Sequence, residues 1–245
     1  MALKRWICGS DLHGDLADPE AVGVFLKFCE DFKPHKRIFN GDLFDFRALR
    51  LGASEHDQQY DCSIDIDGAM RFLGEFRPNE FQLGNHDIRP YRIAEQGKTA
   101  LMRDWAKTVC RDFERALKGL RCGVRDYDSR TGVFELGRLR FVHGYCCGVS
   151  AARKHASMYG PVVFGHDHSV SRHAYESIDE RQAWGGGCLC RLDLGYDDTR
   201  PAKLRHEQGF AYGWWDDKTG DFAVQQATKI CGKWILPDHF KAVKA

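Results

Sequence analysis

Histidine, aspartate and asparagine side chains recur where short apolar runs of this sequence end. Seven of them have the chemistry of metal ligands: Asp11, His13, Asp42, Asn85, His143, His166 and His168. Imidazole nitrogen combined with carboxylate oxygen suits Mn, Fe, Zn or Co, whereas Ca prefers oxygen ligands alone. Seven donors are too many for one tetrahedral ion, and the set therefore predicts two divalent metal ions, with Mn favoured.

Two metal ions roughly 3.5–4 Å apart stabilise both the attacking and the leaving oxygen when a nucleophile displaces an ester at phosphorus. A carboxylate is the natural bridge between such ions because it has two oxygens, and Asp42 is the candidate. A metal-held water with its pKa lowered to about 7 supplies hydroxide at neutral pH. The side chains therefore predict hydrolysis of a phosphoester.

The runs that precede these side chains are short and rich in β-branched and aromatic residues, which favours strands. Apolar spacing of three and four residues predicts helices over 19–32, 65–76 and 99–120. Strands that alternate with helices are typical of βαβ units with parallel strands. Ligands gather beyond the carboxyl ends of such strands, so the seven candidate metal ligands that follow these runs are expected to converge there.

Five motifs occur in the order DLHGD (11–15), GDLFD (41–45), GNHD (84–87), HG (143–144) and GHDH (165–168). This order resembles the calcineurin-like metallophosphoesterase superfamily. The resemblance implies an α/β metallophosphatase fold, in which two packed mixed β-sheets are flanked by α-helices, over a single domain of residues 1–245. The strands after His168, with the hairpin turn DDKTGD at 216–221, are expected to complete the second sheet.

The resemblance also implies a role for each matching residue. One metal ion is held by Asp11, His13, Asp42 and His168, and the other by Asp42, Asn85, His143 and His166. His86 acts on the leaving group as a general acid or stabilises the transition state, and Asp45 orients its ring. Arg47 and Arg89 are candidates for contact with the substrate phosphate, against the ordinary alternative of surface arginines.

Composition narrows the class of protein further. The chain has 36 Lys and Arg against 35 Asp and Glu, a net charge of +1. A net charge near zero does not indicate a broad surface that binds nucleic acid or a membrane, although it is compatible with a local basic cleft. The sequence reaches charged residues too early for a signal peptide, so we expect a cytoplasmic protein. The ten cysteines include no CxxC pair and are predicted to pack as reduced thiols.

Several alternatives stay open from the sequence. A phosphodiester of a nucleotide or nucleic acid is the favoured substrate, and a phosphomonoester of a small molecule or protein is the second. A binding scaffold on the same fold would have no need for the full ligand set, and it is the alternative of another class. The polar segment 48–67 is expected to form an insert near the site, and segment 148–160 is read as a polar helix that either presents charge to a substrate or is ordinary surface. The oligomeric state is open.

Overall fold

Two β-sheets lie between two layers of helices in the computed structural model, which describes residues 3–50, 52–178, 180–193 and 204–237. The strands are β1 (Lys4–Gly9), β2 (Lys36–Phe39), β3 (Glu80–Gln82), β4 (Gly123–Arg125), β5 (Phe134–Leu136), β6 (Leu139–Val142), β7 (Val162–Phe164), β8 (Val170–Ala174), β9 (Gln182–Gly186), β10 (Gly209–Trp215), β11 (Phe222–Ile230) and β12 (Lys233–Ile235). The helices are α1 (Pro19–Phe32), α2 (Glu55–Gln58), α3 (Cys62–Phe76), α4 (Arg89–Gln96), α5 (Ala100–Gly119) and α6 (Ala151–Tyr159). The predicted α/β fold with two packed sheets is confirmed.

The first sheet has the strand order β12-β11-β10-β1-β2-β3-β4. Strands β1 to β4 are parallel, and helices α1, α3 and α5 lie in the three connections between them. Helix α1 begins as the sequence predicts, because the Asp18 side chain accepts the Ala21 N–H and Pro19 needs no partner for its nitrogen. The βαβ prediction is confirmed.

The second sheet has the order β5-β6-β7-β9-β8, with β6, β7 and β9 parallel. The prediction that the strands after His168 all complete this sheet is wrong for β10, β11 and β12. Strand β10 instead pairs antiparallel with β1, from Lys4 opposite Trp215 to Cys8 opposite Ala211. This pairing gives partners to an edge of β1 that β2 leaves open.

Three apolar layers hold the sheets and helices together. Side chains such as Trp6, Phe141 and Trp184 fill the space between the two sheets. Phenylalanines of α1 and α3 pack on the outer face of the first sheet, and small residues of α6 pack on the second sheet. No helix within the described ranges is long and apolar enough to cross a membrane.

The helix boundaries differ from the predicted ones mainly in the insert 48–67. Helix α3 begins at Cys62, three residues before the predicted start at 65, because Asp61 accepts the Ser63 N–H as its cap. Helix α2 forms around a capping box in which Ser54 and Asp57 bond each other's main chain. Half of the segment expected to be irregular is therefore helical, and α4 is a helix that the sequence analysis did not predict.

Candidate metal centre

The five motifs meet at one edge of the molecule, where the carboxyl ends of strands from both sheets come together. The loops after β1, β2 and β3 contribute Asp11 and His13, Asp42 and Asp45, and Asn85 and His86. The loops after β6 and β7 contribute His143, His166 and His168 from the second sheet. The structure thus brings together all seven residues that the sequence predicts as ligands, and their assignment to individual ions stays a prediction.

One group of donors surrounds the Asp11 carboxylate. His168 Nε2 lies 3.3 Å from Asp11 Oδ1 and 3.1 Å from His13 Nε2. His13 Nε2 is also 3.9 Å from Asp42 Oδ2. The side-chain donor atoms of Asp11, His13 and Asp42 all lie within 4.8 Å of one another, as three ligands of one small cation require.

A second group shares Asp42 with the first. His143 Nε2 lies 3.3 Å from Asp42 Oδ2 and 3.1 Å from Asn85 Oδ1. The donor atoms of Asp42, His143 and His166 also lie within 4.8 Å of one another. Asp42 therefore stands between the two groups, in the position that a bridging carboxylate occupies.

Hydrogen bonds at Nδ1 turn the Nε2 atoms of two histidines toward the centre. His143 Nδ1 donates to the carbonyl of Asn40 at 2.6 Å, and His13 Nδ1 faces Asp45 Oδ1 at 3.1 Å. A histidine that donates from Nδ1 keeps its Nε2 lone pair for a metal ion. This is the arrangement expected of metal ligands rather than of histidines buried for packing.

The backbone at the ligands is strained. Among the described residues, eleven other than glycine have positive φ, and five of these are predicted ligands: Asp11, His13, Asp42, His166 and His168, with φ from 51° to 68°. Each such residue costs of order 1–3 kcal/mol, a cost that concentrates at functional sites. Gly84 permits the close approach of these loops, since a Cβ there would overlap the Asp42 carboxylate.

Electrostatics at the centre favour added positive charge. Burial opposes ionisation of Asp42, but the neighbouring His143 outweighs it and the pKa of Asp42 lies well below its usual range. Burial likewise opposes protonation of the histidines, yet Asp42 raises the pKa of His143 to about 9 and Asp11 raises that of His168 to about 10. The carboxylates thus attract cations strongly, and together with the donor set and the strained loops they fit two divalent metal ions.

Asp45 contacts two histidines where the sequence predicted one. Its Oδ1 lies 3.1 Å from His13 Nδ1 and 3.2 Å from His86 Nδ1, while Arg47 Nε donates to Oδ2 at 2.9 Å. Burial opposes its charge, but these histidines hold the pKa of Asp45 far below its usual range. His86 points its Nε2 toward Asp42, 3.8 Å from Oδ2, and its side chain keeps 13% exposure. That position suits contact with a substrate.

The two arginines predicted to contact phosphate have protein partners. Arg47 pairs with Asp45 and also with Asp15, whose Oδ1 lies 2.5 Å from Nη2. Arg89 Nη1 donates to the main-chain carbonyls of Asp45 and Phe46 at 2.6 and 3.2 Å. Both side chains therefore fix the loop that carries Asp45, and their contact with a substrate stays a prediction.

Three buried carboxylates near the centre bind main-chain N–H groups. Asp65 of α3 accepts from Asp45 and Phe46, the latter at 2.6 Å, and Asp87 accepts from Phe44 and Gly84. Asp167 accepts from Gly148 at 2.7 Å. Sequence reasoning missed Asp65, and the only signal was an acidic residue on the expected buried face of a helix.

Cys190 also lies closer to the centre than the sequence analysis expected. Its Sγ is 3.9 Å from His168 Nδ1. This sulfur and the donor atoms of His13 and His168 all lie within 4.8 Å of one another. Cys188 and Cys190 are both fully buried and form no disulfide bond in this structure. A CxC spacing after a strand was the available signal for this position.

No family model and no curated protein matches the sequence. Among solved structures, the chain is similar to a metallophosphoesterase from Sphaerobacter thermophilus (14% identity, 92% of this chain, 88% of that chain, TM-score 0.46). It is also similar to a Vps29 double mutant from Entamoeba histolytica (12% identity, 94% and 96%, TM-score 0.48) and to the phosphoesterase Yfce from E. coli (12%, 90% and 98%, TM-score 0.40). At these values the arrangement of side chains at the centre, and not global similarity, supports a functional proposal.

Proposed function

We propose that the protein is a metal-dependent phosphoesterase. The observation that supports this most directly is the shared position of Asp42 between two groups of nitrogen and oxygen donors, 3.3 Å from His143 and 3.9 Å from His13. Two divalent ions held there, with Mn as the favoured metal, supply Lewis acidity and an activated water for attack on phosphorus.

The contacts of the residues support the following roles. Asp11, His13, Asp42 and His168 would hold one ion, and Asp42, Asn85, His143 and His166 would hold the other. His86 is the general acid, because its Nδ1 is held by the Asp45 main chain at 2.8 Å and its Nε2 faces the centre. A proton on Nε2 passes to the leaving oxygen, and the Asp45 carboxylate stabilises the charged ring before that transfer.

A phosphodiester of a nucleotide or nucleic acid is the favoured substrate, and a phosphomonoester is the alternative. The test measures hydrolysis of bis-p-nitrophenyl phosphate and p-nitrophenyl phosphate by protein loaded with Mn. Preference for the first supports the diester, and preference for the second supports the monoester. Asp42→Asn is the control, since it removes the shared charge and should abolish both activity and metal binding.

A binding scaffold on this fold is the candidate from another class. Retention of seven donors with strained backbones at five of them favours the enzyme, because a scaffold gains nothing from that strain. Metal analysis of the purified protein combined with the two ester assays separates the two. Two bound ions with turnover of either ester support the enzyme, whereas bound ions without turnover of any ester would support the scaffold.

A further inference from the structure

A cleft of about 610 Å³ opens between the insert 48–67 and helix α4. Its lining includes Ala48, Arg50 and Gln58 on one side and Arg92, Gln96 and Lys98 on the other. We call this the insert–helix cleft. Within the described ranges its lining has three cationic side chains and no carboxylate, although the chain as a whole has a net charge of only +1.

Both walls of the insert–helix cleft continue directly from loops of the metal centre. Ala48 follows Arg47, which is ion-paired to Asp45. Helix α4 begins three residues after His86, and Arg89 in its first turn donates to the Asp45 carbonyl at 2.6 Å. Both walls of the cleft are therefore anchored to the loop that carries Asp45, and a substrate that extends along this loop beyond the reacting phosphate would reach the cleft.

Arg92 lies one turn along α4 from Arg89 and therefore on the same side of the helix. Among the described residues its guanidinium has no hydrogen bond or ion pair, in contrast to the engaged Arg47 and Arg89.

Lys98 is a second exposed cation on this wall, and it too has no ion pair within the described part of the chain. Arg50 on the opposite wall is held by Asp57 at 2.7 Å, so its charge is largely compensated. Arg92 and Lys98 thus leave two positive charges uncompensated in one concave surface. A guanidinium and an ammonium are both groups that bind phosphate, and here they line the same cleft.

We propose that the insert–helix cleft binds a second phosphate group of the substrate through Arg92 and Lys98. The inference rests on the proposed phosphoesterase function and narrows its substrate class to phosphoesters that carry a further phosphate, as nucleotides and oligonucleotides do. An ester with only one phosphate leaves the cleft empty and gains nothing from it.

A matched pair of substrates tests the proposal: thymidine 5′-(p-nitrophenyl phosphate) with and without a 3′-phosphate. Both release nitrophenol, and they differ only in the second phosphate. Wild-type protein should show a KM lower by about tenfold or more for the 3′-phosphorylated compound, as expected for a charge-assisted contact. The Arg92→Gln/Lys98→Gln double variant should lose this preference, and the preference of the wild type should weaken with added salt.

Arg71→Gln is the matched control, because Arg71 is an exposed arginine of α3 outside the insert–helix cleft, and it should keep the preference. Equal KM values in the wild type, or a preference that survives in the double variant, would overturn the proposal. If the protein hydrolyses only monoesters, the same pair is compared by inhibition of p-nitrophenyl phosphate hydrolysis.

Failure of the proposed function gives a different result. Metal-loaded protein would then hydrolyse none of these esters, and calorimetric titration with thymidine 3′,5′-bisphosphate and thymidine 5′-phosphate replaces the kinetics. Tighter binding of the bisphosphate that depends on Arg92 and Lys98 would still support the cleft, and equal binding would overturn it. A thymidine trinucleotide that binds more tightly than the bisphosphate in the same titration would assign the second phosphate to a nucleic-acid strand, and equal binding would assign it to a small nucleotide.

Discussion

Asp45→Asn is the substitution that best separates metal binding from acid catalysis. The Asp45 carboxylate is fully buried and contacts His13, which is predicted to bind metal, and His86, which is proposed as the acid. If the carboxylate supports both rings, the variant should lose metal affinity and turnover together. His86→Ala should instead slow turnover and leave the metal bound.

The size of the effect follows from the contacts. A supporting carboxylate on a ligand histidine contributes 10- to 100-fold to metal affinity, so Asp45→Asn should weaken Mn binding by about that factor through His13. General acid catalysis contributes 10²- to 10⁴-fold, and we expect kcat to fall by about 100-fold or more once His86 loses its partner. An amide removes the acceptor charge from three contacts at 2.9 to 3.2 Å, which costs about 3 kcal/mol in the free energy of unfolding.

The assay combines metal analysis after dialysis against graded Mn with kcat for a nitrophenyl ester and unfolding in guanidinium. Asp15→Asn is the matched control, because Asp15 reaches Asp45 only through Arg47 and should retain the metal. The double variant Asp45→Asn/His86→Ala should bind Mn more weakly than His86→Ala alone. Wild-type Mn affinity in Asp45→Asn would refute the role at His13, and a double variant identical to His86→Ala would do the same.

Three further substitutions test neighbouring groups. Burial lowers the pKa of His155 to about 4, below the unfolded value of 6.5, so its contribution to stability is complete above pH 6.5 and is lost as pH falls through about 4. The free energy of unfolding, measured with denaturant, should decrease between pH 7 and pH 4.5, and this decrease should be about 2.5 kcal/mol smaller in His155→Gln than in the wild type. His56→Gln, at an exposed position, is the control and should show the same decrease as the wild type. Asp65→Ala leaves the N–H groups of Asp45 and Phe46 without acceptors and should lower the free energy of unfolding by at least about 2 kcal/mol; an unchanged midpoint would contradict this. Cys190→Ser should leave metal content unchanged, and loss of metal would make Cys190 a ligand.

The sequence predicts local elements of this molecule better than their assembly. Alternating apolar runs and the turn at 216–221 are sufficient to locate β10 and β11, because side-chain period and turn residues act over a few neighbours. Which sheet they join depends on the free edge of β1, some 200 residues earlier in the chain. Nothing near β10 carries that information.

The same limit applies to the candidate centre. The motifs predict which side chains converge, because each follows a strand and strand ends of parallel sheets share an edge. The partner of a buried side chain is set by packing between distant segments, so the pairing of Asp45 with His13 was not predictable from the spacing of GDLFD. His155 is a similar case: segment 148–160 was allowed to present charge, but this imidazole is buried, accepts the Tyr145 N–H at 3.0 Å and stacks on Phe164.

Aspartates of four motifs accept main-chain N–H groups of adjacent loops, and these contacts explain how the strained loops persist. Asp11 and Asp42, which have left-handed backbones, accept the N–H groups of His166 and His86, and Asp87 and Asp167 accept those of Gly84 and Gly148. A hydrogen bond of this kind contributes about 0.5–1.5 kcal/mol to a neutral acceptor and about 1.5–3 kcal/mol to a charged one, the same order as the strain of one left-handed residue. These hydrogen bonds thus offset the conformational cost of the left-handed residues. It follows that the donors are held close together by protein contacts alone, before any cation binds.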